Sequence, residues 1–81
     1  MAASDRAQAL NREVRAQMVR TSRSRADLAR TLGVSMTQAY ARLRGEVAWS
    51  PDELWAVSDL LGVPLPELIA AAEGHAVSVS A

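Results

Sequence analysis

Arginine is the residue type that offers this chain its main chemistry, and its arginines are placed unevenly. All nine basic residues are arginines, and all nine lie in residues 1–44 together with three acids, a balance of +6. Residues 45–81 carry six acids and no base, a balance of −6, so the net charge of zero conceals two charged halves. Such an asymmetry indicates contact with a nucleic acid or a membrane surface, or pairing of opposite faces within or between subunits.

Other chemistries lack the residues that they need. The sequence has no cysteine, which excludes disulfides, thiolate nucleophiles and cysteine zinc sites. Its one histidine, His75, excludes the usual catalytic and metal clusters and is interpreted as an incidental exposed residue. Since no nucleophile–base pair, metal-ligand spacing or phosphate loop is present, the sequence predicts no enzyme, no metal, no cofactor and no small-molecule substrate.

Length and hydropathy limit the organisation of the chain. Its 81 residues are enough for one small domain. No apolar run approaches 18 residues and no signal-peptide pattern begins the sequence, so we expect no membrane span and a cytoplasmic location. Arginine without lysine, and abundant alanine, are typical of a high-GC bacterium or its phage, so the expected location is the cytoplasm of a bacterial cell or phage-infected host.

A run of short helices must position the arginines. The first is predicted to begin after Ser4, and Leu10, Val14 and Met18 give it one apolar stripe. The polar residues 21–23 end it.

Two helices of about eight residues follow, joined by residues 33–35. Ser24 with Asp27, and Ser35 with Gln38, have the spacing of capping boxes at the two helix starts. Gly33 is predicted to end the first of these helices in a left-handed cap. The second is predicted to run over about 36–44, to bury Ala39 and Leu43, and to stop at Gly45. So short a connection forces the two helices to cross steeply, as in a helix-turn-helix.

Two further helices are predicted in the acidic half. Ser50-Pro51-Asp52-Glu53 has the N-cap, N1 proline and N3 glutamate of a helix start, and Gly62 is the predicted stop. The last helix has Leu65, Leu68 and Ile69 as apolar anchors and is predicted to end at Gly74. In the tail 75–81, valines alternate with serines, which indicates either a strand or a fraying terminus.

Three segments in order resemble one known family. Residues 28–35 read LARTLGVS, residues 43–46 read LRGE and residues 60–64 read LLGVP. These are similar to the helix-turn-helix core, the stop after the recognition helix and the closing segment of lambda-repressor-like, Cro/XRE-type proteins. One departure is Ser22-Arg23, which stands where the family usually has glycine and an apolar residue.

The resemblance implies an all-α, compact five-helix lambda-repressor-like domain. It would span residues 1–74, with the helix-turn-helix at about 24–45, and leave 75–81 as a flexible or dimer-strand tail. It implies a sequence-specific transcriptional regulator of the Cro or immunity-repressor kind. Such a protein binds a double-stranded, palindromic operator as a homodimer, with the helix at about 36–44 in the major groove.

Site residues follow from the resemblance position by position. The base-reading residues would be Met36, Thr37, Gln38, Tyr40 and Ala41. The phosphate contacts would be Arg23, Arg25, Ser35, Arg42 and Arg44. The structural alternatives, without any role in DNA binding, are that the four arginines form a solvated rim, that Met36 covers the edge of the core, and that Tyr40 packs its ring on the core.

The acidic half is expected to face away from DNA and to hold the dimer surface. The candidates are Trp49, Trp55, Leu65, Val77 and Val79. The alternative is that both tryptophans complete the monomer core. Two other functions stay open: an antitoxin or accessory factor that binds a protein through the acidic half, and a protein-interaction module that no longer contacts DNA.

Overall fold

Five helices form the fold of the computed structural model. The structure describes the backbone of residues 5–80 and the side chains of residues 5–74. The helices are α1 (Asp5–Arg20), α2 (Arg25–Leu32), α3 (Met36–Leu43), α4 (Pro51–Leu61) and α5 (Leu65–Ser80). The expected all-α, five-helix fold is confirmed, and residues 5–80 contain no strand. Ser4, the predicted start signal of α1, lies outside the described residues.

The core forms where α1, α2, α4 and α5 meet. Its fully buried large side chains are Val14, Leu28, Val57 and Leu68, one from each of these helices. α1 packs along α5, and α2 packs against both α3 and α4. α3 contributes Ala39 and Leu43, both on one face of the helix, to this core. Its opposite face therefore remains at the surface.

Capping boxes begin α2 and α4, as the sequence predicts. The Ser24 hydroxyl accepts from the Asp27 N–H at 3.1 Å, and the Ser24 N–H donates to the Asp27 carboxylate at 2.9 Å. These hydrogen bonds, the backbone one first, hold the pKa of Asp27 below its usual value. Ser50 and Glu53 form the same reciprocal pair. Both helix starts are therefore fixed by local hydrogen bonds.

Left-handed residues end the helices and turn the chain back. At the end of α2, Gly33 has a φ of +70°, and the Val34 N–H reaches back to the Ala29 carbonyl at 3.0 Å. At the end of α1, Ser22 holds the same conformation with a φ of +58°, and the Arg23 N–H reaches the Met18 carbonyl at 2.8 Å. Ser22 is the sole non-glycine residue with positive φ within 5–80. It therefore carries strain that glycine would not.

The end of α5 departs from the prediction. The helix continues through Gly74 to Ser80, so the domain boundary expected at residue 74 falls inside it, and residues expected as tail or strand are helical. Gly74 keeps a helical backbone without positive φ, at a cost of only about 1 kcal/mol relative to alanine. Three preceding alanines favour continuation. The side chains of Val77 and Val79 lie outside the described residues.

No single helix among the described residues is long and apolar enough to cross a membrane. The pair formed by α4 and residues 65–74, bent by 96°, reaches that length and composition only when the two are joined. Val57, Leu61 and Leu68 of this pair lie buried in the core.

Replacing Ser22 by glycine is expected to stabilise the fold. Removing the Cβ relieves the left-handed strain, and after the larger entropy loss of glycine the net gain is about 0.5–1 kcal/mol. Thermal and urea unfolding measure it, with a melting temperature raised by about 2–8 °C. Ala16→Gly, on the exposed face of α1, is the matched control and should cost about 1 kcal/mol. A loss of stability in Ser22→Gly would contradict the strain.

Candidate nucleic-acid interface

The N-terminal turn of α3 is held by a helix cap and by the core on one side and is exposed to solvent on the other. The Ser35 hydroxyl accepts from the Gln38 N–H at 3.1 Å, which caps the helix, but the reciprocal half of the predicted capping box is absent. Ala39 and Leu43 are buried against the core, as expected. Met36 is 50% exposed, and Thr37 and Gln38 are also exposed. The turn therefore presents three adjacent side chains of different hydrogen-bonding and apolar character.

Ala41 does not belong to this exposed face, and its expected outward placement is wrong. Its exposed fraction is 7%. The loop after α3 folds back over it, because the Glu46 and Val47 N–H groups both donate to the Ala41 carbonyl, at 2.9 and 3.4 Å. The left-handed Gly45 permits that reversal.

Arg42 is also placed differently from the expectation of a phosphate contact. Its guanidinium forms an ion pair with Glu53 at 3.0 Å, and the two side chains are only 13% and 17% exposed. The arginine Nε lies 3.0 Å from both carboxylate oxygens. Arg42 therefore ties the end of α3 to the start of α4 and is not a free surface cation.

Tyr40 lies between two arginines. The guanidinium carbons of Arg25 and Arg44 are 4.5 and 4.7 Å from the centre of its ring. At these distances each cation is attracted to the ring quadrupole. Tyr40 is 41% exposed, so its ring works as a platform at the surface that fixes one arginine of α2 and one that follows α3.

Two grooves extend this charged surface onto α1. One, of about 460 Å³, is lined by Arg15, Arg23, Arg25 and Tyr40 among others. The other, of about 210 Å³, includes Arg12, Arg15 and Arg44. We call the set Arg12, Arg15, Arg23, Arg25 and Arg44 the arginine band. The first two were missed by the resemblance, although their spacing of three places them on one face of α1 away from the apolar stripe.

The arginine band is not uniformly free. Arg15 donates to the Leu43 carbonyl at 2.6 Å, which covers the C-terminal end of α3 where the helix dipole is negative. Arg44 pairs with Glu46 at 3.1 Å, both side chains about half exposed. Within the part of the chain that has described side chains, Arg12, Arg23 and Arg25 form no ion pair. Three cations are thus available to an external anion.

A comparison with known protein families shows to which family the domain belongs. A model of the helix-turn-helix family matches residues 14–68, more than half of the chain, including all of α2, α3 and α4. The chain belongs to the helix-turn-helix family. It carries a DNA-binding domain of the Cro/C1 or XRE type, which acts on double-stranded DNA in the regulation of transcription. Searches of curated proteins and of solved structures gave no match.

Of the candidates for a dimer surface, Trp49 and Leu65 pack on or in the monomer core, whereas Trp55 is exposed. The indole N–H of Trp49 donates to the Asn11 side-chain oxygen at 2.6 Å and its ring packs on the core. Leu65 is part of the core. Both therefore stabilise the helix-turn-helix monomer, which is the alternative that the sequence left open for Trp49. Trp55 is 57% exposed. Ile69, expected as a buried anchor, is 39% exposed and lines a groove between α1 and α5.

Within residues 5–74 no group of acidic or histidine side chains is placed to hold a metal ion.

The Arg42–Glu53 contact gives the domain a specific acid sensitivity. The hydrogen bond from Arg42, and then the N–H of Ser50, hold the pKa of Glu53 below its usual value. Because the folded pKa is the lower one, the stabilisation is complete above the ordinary pKa of 4.5 and is lost as pH falls through the folded value.

Glu53→Gln should remove this contribution while leaving the helix cap, since glutamine also closes a capping box. We expect the free energy of unfolding at pH 7 to fall by about 1–3 kcal/mol, and its difference from the parent protein to narrow as the pH falls below 4.5 and through the lowered pKa of Glu53. Urea unfolding across pH measures both. Asp59→Asn, exposed on the same helix, is the control and should change stability by less than about 0.5 kcal/mol. A gap that does not vary with pH would contradict the assignment.

Proposed function

We propose that this chain is a sequence-specific repressor of the Cro or immunity-repressor kind, which inserts the N-terminal turn of α3 into the major groove of its operator. The observation that carries the proposal is the exposed turn at Met36, Thr37 and Gln38 bordered by the arginine band. A major groove admits one helix, and phosphates flank it on both sides. The arrangement supports readout at the centre and backbone contact at the rim.

The three residues of the turn offer complementary base contacts. Gln38 has both a donor and an acceptor and suits the major-groove edge of adenine. Thr37 offers a hydroxyl and a methyl group, and Met36 suits the methyl group of thymine. Each good contact would discriminate by about 1–3 kcal/mol between bases.

The rim arginines would neutralise phosphates. Arg23 and Arg25 precede and begin α2, and Arg44 follows α3, so the helix pair is bordered on both sides. Tyr40, between Arg25 and Arg44, would set the distance between two phosphate contacts instead of reading a base. The exposed N-terminus of α3 at Ser35 adds backbone N–H groups that suit a phosphate.

Self-association of the domain is proposed to use Trp55. A large aromatic side chain that the monomer leaves mostly exposed is typical of the anchor of an interface. A dimer would place two copies of α3 on successive half-sites of a palindrome, about one helical turn of DNA apart.

A second candidate function rests on the charges around the same tryptophan. Asp52, Trp55 and Asp59 recur at helical spacing on the exposed face of α4, and neither carboxylate has an ion-pair partner within residues 5–74. An acidic rim around an aromatic anchor also suits a basic protein partner, which is the surface that an antitoxin or accessory factor would use.

Operator binding should depend steeply on salt and on the rim arginines. Each phosphate neutralised contributes a slope of about −0.9 to log K against log salt, so Arg25→Ala should weaken binding to all duplexes alike and reduce the slope by about 0.9. Thr37→Ala should leave the slope unchanged and relax the preference at one or two base positions. Selection from a random duplex pool, followed by titration at several salt concentrations, measures both effects.

Arg6→Ala is the matched control for charge. Arg6 pairs with Glu73 of α5 at 2.6 Å, away from α2 and α3, and its loss should leave the salt slope as it is. Binding by the parent protein that does not vary with salt, or no binding to any duplex, would refute the proposed function. Equal and uniform effects of Thr37→Ala and Arg25→Ala would show that the reading turn is misplaced.

Trp55→Ser should dissociate the proposed dimer without unfolding the domain, because the side chain is largely outside the monomer core. Sedimentation equilibrium would then report a single monomeric mass. The free energy of unfolding, measured in urea at low protein concentration, would stay within about 0.5 kcal/mol of the parent value. Trp49→Phe is the contrasting variant: it loses the hydrogen bond to Asn11 and should destabilise the monomer. A monomeric parent protein would refute the dimer, and added basic protein would then test the second candidate.

A further inference from the structure

Arg42 makes one set of contacts that the ion pair with Glu53 does not account for. Its Nη1 atom donates to the backbone carbonyl of Gln38 at 3.0 Å and to the side-chain oxygen of Gln38 at 3.3 Å. All three nitrogens of the guanidinium therefore have partners, two on Glu53 and one on Gln38. Arg42 joins the start of α4 directly to a side chain at the exposed turn of α3.

The contact has a chemical consequence for the amide of Gln38. A glutamine amide carries an acceptor oxygen and a donor nitrogen of nearly equal size, and a free side chain presents either one. An arginine only donates, so the oxygen of Gln38 must face Arg42 and the NH2 group must point away from it. The order of acceptor and donor along the edge of the amide is thereby fixed.

Arg42 is itself held in place by Glu53. Both carboxylate oxygens accept from Arg42, and one of them also accepts the Ser50 N–H at 3.0 Å, so the carboxylate cannot rotate freely. The guanidinium is planar and nearly buried, so its Nη1 atom has little freedom to turn away from Gln38. The cap of α4 therefore fixes the Glu53 carboxylate, the carboxylate fixes the Arg42 guanidinium, and the guanidinium fixes the Gln38 amide.

We propose that Arg42 is a positioning residue for base recognition, which orders the amide of Gln38 before DNA arrives. The inference rests on the proposed function, in which Gln38 reads a base. A bidentate contact needs acceptor and donor in a defined order, and a side chain already ordered loses less freedom on binding. Specificity at one base position then depends on a residue that touches neither base nor phosphate.

Arg42→Lys separates the two roles that an arginine here could have. Lysine keeps the charge and can pair with Glu53, but it lacks the planar fork whose separate nitrogens bind Glu53 and Gln38 in fixed directions. We expect the salt slope to stay unchanged and the preference at the base read by Gln38 to fall roughly 2- to 12-fold, the range for one side chain that is no longer pre-ordered. The base position is defined beforehand as the one that Gln38→Ala changes. Arg6→Lys is the control.

A double-mutant cycle tests whether the effect passes through Gln38. In the Gln38→Ala background, Arg42→Lys should change base preference no further. Arg42→Met combined with Glu53→Gln removes both charges, keeps the helix cap and should relax the same position. Three results would overturn the proposal: an unchanged preference in Arg42→Lys, a salt slope lowered by about 0.9, or equal relaxation with and without Gln38.

A measurement without DNA keeps the inference separate from the proposed function. In the free protein, the order parameter of the Gln38 side-chain NH2 group should be high and should fall below about 0.6 in Arg42→Lys. A mobile amide in the parent protein overturns the positioning role even if the chain binds its operator. A rigid amide in a chain that selects no duplex refutes the proposed function and leaves the contact intact but without a base to read.

Discussion

The placement of α3, and with it the proposed reading turn, depends on one carboxylate, that of Glu53. It closes the capping box that begins α4, and it binds the guanidinium of Arg42 near the end of α3. The core alone fixes α3 weakly, because α3 contributes two buried alanines and one buried leucine to it. A short helix with so little apolar surface needs a polar constraint to hold its rotation and its exit direction. Removing either partner of a nearly buried ion pair leaves an uncompensated charge, which is costly. The ion pair therefore constrains the position of α3 strongly.

Local structure could be predicted from the sequence because its causes are local. The boxes at Ser24 and Ser50 are reciprocal hydrogen bonds over three residues, and both form as predicted. Gly33 and Gly62 end their helices because positive φ is least costly for glycine. The buried sides of α1 and α3 follow from apolar spacing, at Val14 and Met18 in α1 and at Ala39 and Leu43 in α3. The family motif added the direction in which the helix pair faces, which periodicity alone does not give.

The departures come from contacts between residues distant in sequence or from a local signal that other preferences override. Ala41 is covered by a loop whose path depends on Gly45 and on two backbone hydrogen bonds, which the helical spacing of α3 does not contain. Arg42 was expected at a phosphate because nothing in the sequence pairs it with a glutamate eleven residues later. The contact of the Tyr40 ring with Arg25 was likewise not predicted, because the two residues are distant in sequence. Gly74 is the opposite case, since favourable helical neighbours outweigh one glycine.

In the free domain Arg44, a proposed phosphate contact, already holds an anion. Its pair with Glu46 has no net charge, so it adds little to the long-range field that draws a polyanion toward the domain. To contact a phosphate, Arg44 would have to exchange one oxygen anion for another, the carboxylate of Glu46 for the phosphate. The unpaired arginines of the band would therefore govern how fast the complex forms, whereas Arg44 would govern how long it lasts. In the proposed complex, rapid association and slow dissociation would thus fall to different arginines, according to whether each has an internal counterion.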